Sequence, residues 1–188
     1  RSVSRGLGDV YKRQVHRVSR HNNAINSGNN DMKVSKGFII SPDAIDSDGA
    51  STTTTTMDWA TANGYLATAN QNKYDVASYA VPKGCAMYRG KYGKDAPGTW
   101  RVLTFREGSL IMIFYRELEE TNVRTGFNKF ALSTNGTAYW LATEYSGSST
   151  YAWYMKFYPD ATKVKYASSS GSKSTKYFLR CIRDIPSK

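Results

Sequence analysis

Cysteine and histidine are scarce in this 188-residue sequence, with two of each. Soft ligands are therefore too few to expect a zinc site. No stretch approaches the roughly 18 to 20 consecutive apolar residues of a membrane span, so this fragment is not expected to insert into a bilayer. The first residues lack the charged, apolar and small-residue regions of a secretory leader. No nucleophile elbow, phosphate-cradling glycine loop or paired-histidine motif occurs. Acidic residues are outnumbered, 15 Asp and Glu against 26 Lys and Arg.

The resulting net charge of +11 is unevenly spread. Arg1, Arg5, Lys12 and Arg13 against Asp9 give residues 1–14 a charge of +3. Arg17, Arg20, Lys33 and Lys36 against Asp31 give 15–40 another +3, leaving +5 on the rest. Those remaining charges are scattered and form no basic stripe, so a nucleic-acid partner is not expected. What is abundant is apolar and aromatic residues, 40% and 13% of the chain, enough to build a core.

Arg1–Gln14 reads RSVSRGLGDVYKRQ and resembles translated sequencing-adapter read-through. It is expected to be a disordered, non-native tail, with the true N-terminus and any export signal missing. Residues 15–50 read as a linker or a remnant of an upstream module, and 51–188 as the domain. Within the linker, Met32–Ile40 (MKVSKGFII) has strand character. Thr56 precedes Met57-Asp58-Trp59-Ala60 as an N-cap, and Gly64 suits the stop of that short helix.

Thr104-Phe105-Arg106-Glu107 is a capping box, in which hydroxyl and carboxylate satisfy each other's orphan backbone donors. Leu110, Ile111, Phe114 and Leu118 follow at helical spacing. Gly108 weakens this helix by about 1 kcal/mol relative to alanine. From Ala138 the period changes to two. Tyr139–Glu144, Tyr151–Tyr158, Thr162–Tyr166 and Lys176–Arg183 read as strands separated by polar turns. In Tyr151–Tyr158, the face of Tyr151, Trp153, Met155 and Phe157 is expected in the core, and that of Ala152, Tyr154, Lys156 and Tyr158 at the surface. Helices first and antiparallel strands last indicate an α+β domain.

Four segments in order carry a family resemblance. Gly98–Glu107 (GTWRVLTFRE) resembles the GTWRLPTxRE element of the FISUMP-type "major paralogous" domain. Tyr139–Glu144 (YWLATE) resembles its YWSSTE, Ala152–Phe157 its AWxxxF, and Arg180–Asp184 (RCIRD) its closing RCVRD. The resemblance covers about Met57 to Ile185. It implies a C-type-lectin-like fold, two helices packed on small twisted antiparallel sheets with long loops. It also implies a place at the end of fimbrial or surface adhesins of gut anaerobes, often behind β-sandwich modules. Leu103 stands where the family usually has proline, and Gly108 and Ser109 replace apolar positions. The fold commonly joins a helical-region cysteine to one on the last strand, which implies a Cys85–Cys181 disulfide and an oxidising, exported setting. Two unpaired thiols are the alternative.

Catalysis finds little support. Glu107 is accounted for by its capping box, and Glu144 is expected to pair with Arg180 or Arg183. His16 and His21 lie in the linker. Formylglycine-generating enzymes share a related fold but need reactive cysteines. Calcium-dependent sugar binding needs clustered oxygen ligands. Tyr158-Pro159-Asp160 matches only half of the lectin tripeptide and no Trp-Asn-Asp occurs, so no metal and no cofactor are expected.

Recognition through surface aromatics remains. Seven of the 14 tyrosines fall between residues 139 and 178, among Ser, Thr, Gly and Lys. Tyrosine offers stiff amphipathic contact area, and Ser and Gly adaptable hydrogen bonding. Tyr145, Tyr151, Tyr154, Tyr158 and Tyr166 are the candidate ligand contacts, with Lys156 and Lys165 as polar companions. Tyr139 and Tyr151 are the members expected in the core. The expected function is a non-enzymatic adhesion domain at the cell surface, binding a host or bacterial glycan or protein. A structural capping domain that binds pilin subunits and a sulfatase-activating enzyme are the rivals.

Overall fold

The computed structural model describes residues 37–63, 83–96, 98–145, 148, 150–159 and 165–185, with the backbone alone at 165–168. Residues 1–36, and with them the adapter-like tail and both histidines, lie outside the described residues. The same holds for Gly64 and for 160–164.

The chain is α+β, with few helices and small antiparallel sheets. In order come β1 (Phe38–Ile40), β2 (Ala44–Ile45), β3 (Ser51–Thr52), α1 (Trp59–Ala62), a 3-10 turn (Gly84–Ala86) and β4 (Arg101–Val102). Then follow α2 (Phe105–Ile113), α3 (Tyr115–Thr125), β5 (Thr137–Glu144), β6 (Tyr151–Tyr158), β7 (Lys165–Ser172) and β8 (Cys181–Asp184). The strands form antiparallel sheets ordered β1-β8-β4, β2-β3 and β5-β6-β7. Among the described residues no helix is long and apolar enough to cross a membrane.

The apolar residues collect into two cores, and β5 is the wall between them. Successive side chains of a strand point to opposite faces. Trp140 and Ala142 accordingly enter the core of Trp59, Trp100, Leu179 and the two cysteines. Tyr139 and Leu141 enter the core of Ile111, Tyr115, Phe130, Met155 and Phe157 beneath the helices. Val102 and Leu103 divide in the same way, as do Cys181 and Ile182. Two tryptophans brace the α1 segment against the wall: Trp59 Nε1 donates to the Leu141 carbonyl at 2.7 Å and Trp140 Nε1 to that of Met57 at 2.9 Å. The Cys85–Cys181 disulfide is present and ties the 3-10 turn to β8 across a sequence separation of 96. Closing so long a loop contributes about 4 to 5 kcal/mol in the chain-entropy picture.

Several expectations are corrected. The boundary at residue 51 falls too late. β1 pairs with β8 from Phe38 to Ile40, and Ser41 and Ile45 amides donate to the Cys181 and Leu179 carbonyls, so the segment from 38 onward belongs to the domain. The cap of α1 is Asp58, whose carboxylate accepts from the Thr61 amide, because the helix starts two residues later than Thr56 would set. The Thr104–Glu107 capping box is present in full. The helix it opens breaks at Phe114, however, and this ring is 55% exposed instead of continuing the stripe. Re-aiming there turns Tyr115 inward, where its ring stacks on Phe157. The last strand is shorter than expected, since Tyr177 and Phe178 make only isolated bridges before β8 begins at Cys181. β7 runs later than Thr162–Tyr166, to Ser172.

β6 spans Tyr151–Tyr158 as expected, but its two faces do not divide into core and surface. Met155 and Phe157 are fully buried on one face and Ala152 on the other, whereas Tyr151 is 41% exposed. Trp153, Met155 and Phe157 pack on the core beneath the helices, and Ala152 and Tyr154 on the core around the disulfide.

Gly108 has a packing role that its helix propensity conceals. A Cβ there would lie 2.8 Å from the Leu141 Cδ2 atom, in the fully buried wall. Gly108→Ala gains about 1 kcal/mol of helix propensity and loses about 1 to 3 kcal/mol to overpacking. A net loss of about 1 kcal/mol in denaturant unfolding is expected, and a stabilised variant would contradict the close approach.

Candidate functional site

The buried charges come first, because they determine which acids are free for chemistry. Arg101 Nη1 and Nη2 grip Glu107 Oε2 and Oε1 at 2.7 and 2.6 Å, and Nη2 also reaches Asp184 Oδ1 at 2.6 Å. Glu107 Oε2 accepts as well from the Thr104 amide at 2.9 Å, so one carboxylate closes the capping box and the ion pair together. Burial by itself pulls the Arg101 guanidinium down, but the two carboxylates outweigh it and hold it above its ordinary value. Glu144 pairs with Lys173 at 2.5 Å, both fully buried, and the ammonium sits 4.6 Å from the Trp59 ring. The expected pairing of Glu144 with Arg180 or Arg183 is corrected: β7 ends at Ser172 opposite Tyr151, the turn that follows sets Lys173 beside the end of β5, and Glu144 meets it there. Burial pushes the Lys173 ammonium down, against the pull of Glu144.

Arg180 instead donates from Nη2 to the Asn128 carbonyl at 2.8 Å and lies 4.1 Å over the Phe130 ring. Burial lowers its affinity for the proton. Tyr139 donates to the Phe130 carbonyl at 2.8 Å, and burial pushes its phenol up to about 12. Burial does the same to Tyr88, aided by Asp43 and Asp95, again to about 12. The Tyr88 hydroxyl is buried and has no hydrogen-bond partner among the described residues.

The candidate tyrosines are not gathered into one surface. Tyr145 packs edge-on against Trp153 at 5.5 Å near the exposed Tyr151. Tyr151 is thus a surface residue, not the core member expected. Tyr154 is half-buried, 4.7 Å from the Tyr177 ring and 6.3 Å from that of Trp140, so its face is packed where solvent was expected. At the far end of β6, Lys156 lies 5.0 Å from the Tyr158 ring. Tyr158 with Pro159 lines a groove of about 630 Å³ against α3, whose other charges are mixed in sign. Backbone pairing sets Lys165 opposite Tyr158 and Tyr166 opposite Phe157. The side chains of Lys165 and Tyr166, and the residue Asp160, lie outside the described residues.

A second cleft, of about 480 Å³, opens between β1, the loop 88–96 and α3. The loop is closed on itself around Asp95. The Asp95 amide donates to the Arg89 carbonyl at 3.0 Å, and Arg89 Nε donates back to the Asp95 carbonyl at 2.8 Å. The Asp95 carboxylate accepts from Trp100 Nε1 and Arg183 Nη1, both at 2.7 Å. Gly90, at φ +73°, passes so close to that carboxylate that any Cβ would strike it. So braced, the loop holds out Tyr92, which is 78% exposed, with Lys91 4.1 Å over the Phe127 ring. Ile39, Ile40, Pro42 and Leu118 give the cleft an aliphatic lining, and Arg89, Lys91, Lys94 and Arg183 face only Asp95 in charge.

Sequence reasoning passed over this cleft. The segment RGKYGKD did carry a signal, two glycines at turn spacing between basic residues and an exposed aromatic. Its partners on β1, α3 and β8 are distant in sequence and give none. Comparison with family models, curated proteins and solved structures finds no match for the chain.

Two experiments check these placements. Tyr154→Ala opens packing against Trp140 and Tyr177 and should cost about 2 kcal/mol of stability, whereas Tyr151→Ala should stay within about 0.5 kcal/mol. Equal losses in chemical denaturation would contradict the burial assigned to the two rings. Tyr88 and Tyr139 bind their protons more tightly folded than unfolded. Their contribution is therefore whole below about pH 10 and is lost as pH rises toward about 12. Tyr88→Phe removes a hydroxyl that has no partner among the described residues, so stability at neutral pH should hold or rise by up to about 1 kcal/mol. The alkaline loss should then become shallower by one proton, and an unchanged slope would exclude Tyr88 as a source.

Proposed function

We propose that this chain is a non-catalytic recognition domain of an exported surface adhesin, of lectin-like architecture, that takes its ligand in the cleft beneath the loop 88–96. The carrying observation is the loop itself. Asp95 spends its carboxylate on Trp100 and Arg183, and the result is a rigid platform that presents Tyr92, Lys91 and Lys94 to solvent. Binding sites gain affinity when contact residues are held in place before the ligand arrives. A protruding tyrosine over an apolar floor with a charged rim is the composition of a recognition surface.

Three further features support the reading. The Cys85–Cys181 disulfide suits an oxidising, exported setting. The acids Glu107 and Glu144 are engaged by Arg101 and Lys173, which favours a structural role over acid–base catalysis for both. Two consecutive helices, α2 and α3, packed against a small antiparallel sheet fit the C-type-lectin-like arrangement that the FISUMP resemblance implies. The tyrosines of β6 have no common surface in this reading. Tyr154 serves packing, and Tyr158 and Lys156 border a separate groove.

The full chain immobilised on beads should retain cultured gut epithelial cells or co-resident bacterial cells. Tyr92→Ala should lower retention at least about fivefold, the loss of about 1 kcal/mol expected of an exposed aromatic anchor, with an unchanged melting temperature. Retention equal to that of the unsubstituted chain would remove the cleft as the site.

A further inference from the structure

The chemistry of the cleft narrows the ligand beyond the class of recognition. Its lining joins the aliphatic Ile39, Ile40, Pro42 and Leu118 to the rings of Tyr92, Trp100 and Phe127. Ile39 is 42% exposed at the edge strand β1. Exposed branched aliphatic side chains are best covered by other apolar side chains. The rim is cationic. The Asp95 carboxylate is already matched by Arg183, so Arg89, Lys91 and Lys94 form a local excess of positive charge around the opening.

We propose that the cleft binds an acidic peptide segment carrying aliphatic side chains, an exposed strand or loop of a partner protein. Its aliphatic residues cover Ile39 and Leu118, and its carboxylates meet Lys91, Lys94 and Arg89. Other occupants have the wrong sign. Residues 1–36 of this chain carry eight basic and two acidic residues, and a second copy brings a net charge of +11. Like charges at close range disfavour both. The inference rests on the reading of the cleft as the recognition site.

The test uses fluorescence anisotropy of the full chain with labelled peptides. The probe is Glu-Asp-Leu repeated four times. Glu-Asp-Ser and Lys-Lys-Leu repeats of the same length, a heparan-sulfate tetrasaccharide and a short oligothymidylate serve as comparators. The Glu-Asp-Leu probe should bind with a Kd of order micromolar, at least about tenfold tighter than every comparator. Raising salt from about 50 to about 300 mM should weaken it by shortening the Debye length. Lys91→Glu with Lys94→Glu, both on exposed side chains, should weaken it at least about tenfold without changing the melting temperature.

Equal binding of Glu-Asp-Leu and Glu-Asp-Ser would overturn the aliphatic part, and normal binding by the double variant the acidic part. Binding of the tetrasaccharide or oligothymidylate as tight as the peptide's would overturn the peptide class. If the probe fails while Tyr92→Ala still abolishes cell retention, the peptide assignment falls and the recognition site stands. If both fail, the cleft is not a binding site.

Discussion

The structure depends on a single strand being packed on both faces. β5 gives Tyr139 and Leu141 to the core under the helices, and Trp140 and Ala142 to the core around the disulfide. Its free edge is also engaged. The Trp140 amide donates to the Phe178 carbonyl at 3.0 Å and the Ala142 amide to that of Leu103 at 2.7 Å, which ties the strand to the segments leading into β8 and α2. Neither core can loosen without exposing the wall that the other uses. Burying both faces of a short strand removes more apolar area from water than a solvated antiparallel strand allows, and two small cores are stabilised together as one.

The buried ions hold the ends of the elements that meet at this wall. Arg101 on β4 joins the start of α2, through Glu107, to the end of β8, through Asp184. Lys173 and Glu144 join the turn after β7 to the end of β5. Removing one partner of such a pair strands a charge in the interior, which costs about 3 to 5 kcal/mol, so these pairs fix geometry more than they add stability. The cleft lies where both cores reach the surface. Trp100, from the first, anchors Asp95 and the loop, while Ile40 and Leu118, packed on the second, supply the floor. The proposed recognition site is thus assembled from residues packed on both cores.

What the sequence disclosed was mostly local. The Thr104–Glu107 box is legible because its two hydrogen bonds close within four residues. The bounds of β6 are legible because alternation breaks at polar turns. Its faces were not, since alternation between apolar and polar positions assumes water on one side, and here Trp140 and Tyr177 cover Tyr154. Gly108 reads as a weak helix residue until Leu141, thirty-three positions away, is seen against it. Glu144 finds Lys173 instead of an arginine of the closing motif because a turn, not a motif, carries its partner. The cleft was illegible for the same reason, being made of β1, a loop, α3 and β8, which share no local pattern.

Native-state hydrogen exchange across a denaturant series tests the two-faced wall most directly. The amides of Trp140 and Ala142, together with those of α2 and β8, should exchange only through global unfolding and show the full unfolding free energy. Exchange of the disulfide-side amides through a separate opening, about 2 kcal/mol or more below that of the helix side, would mean that the cores are independent and that β5 does not couple them.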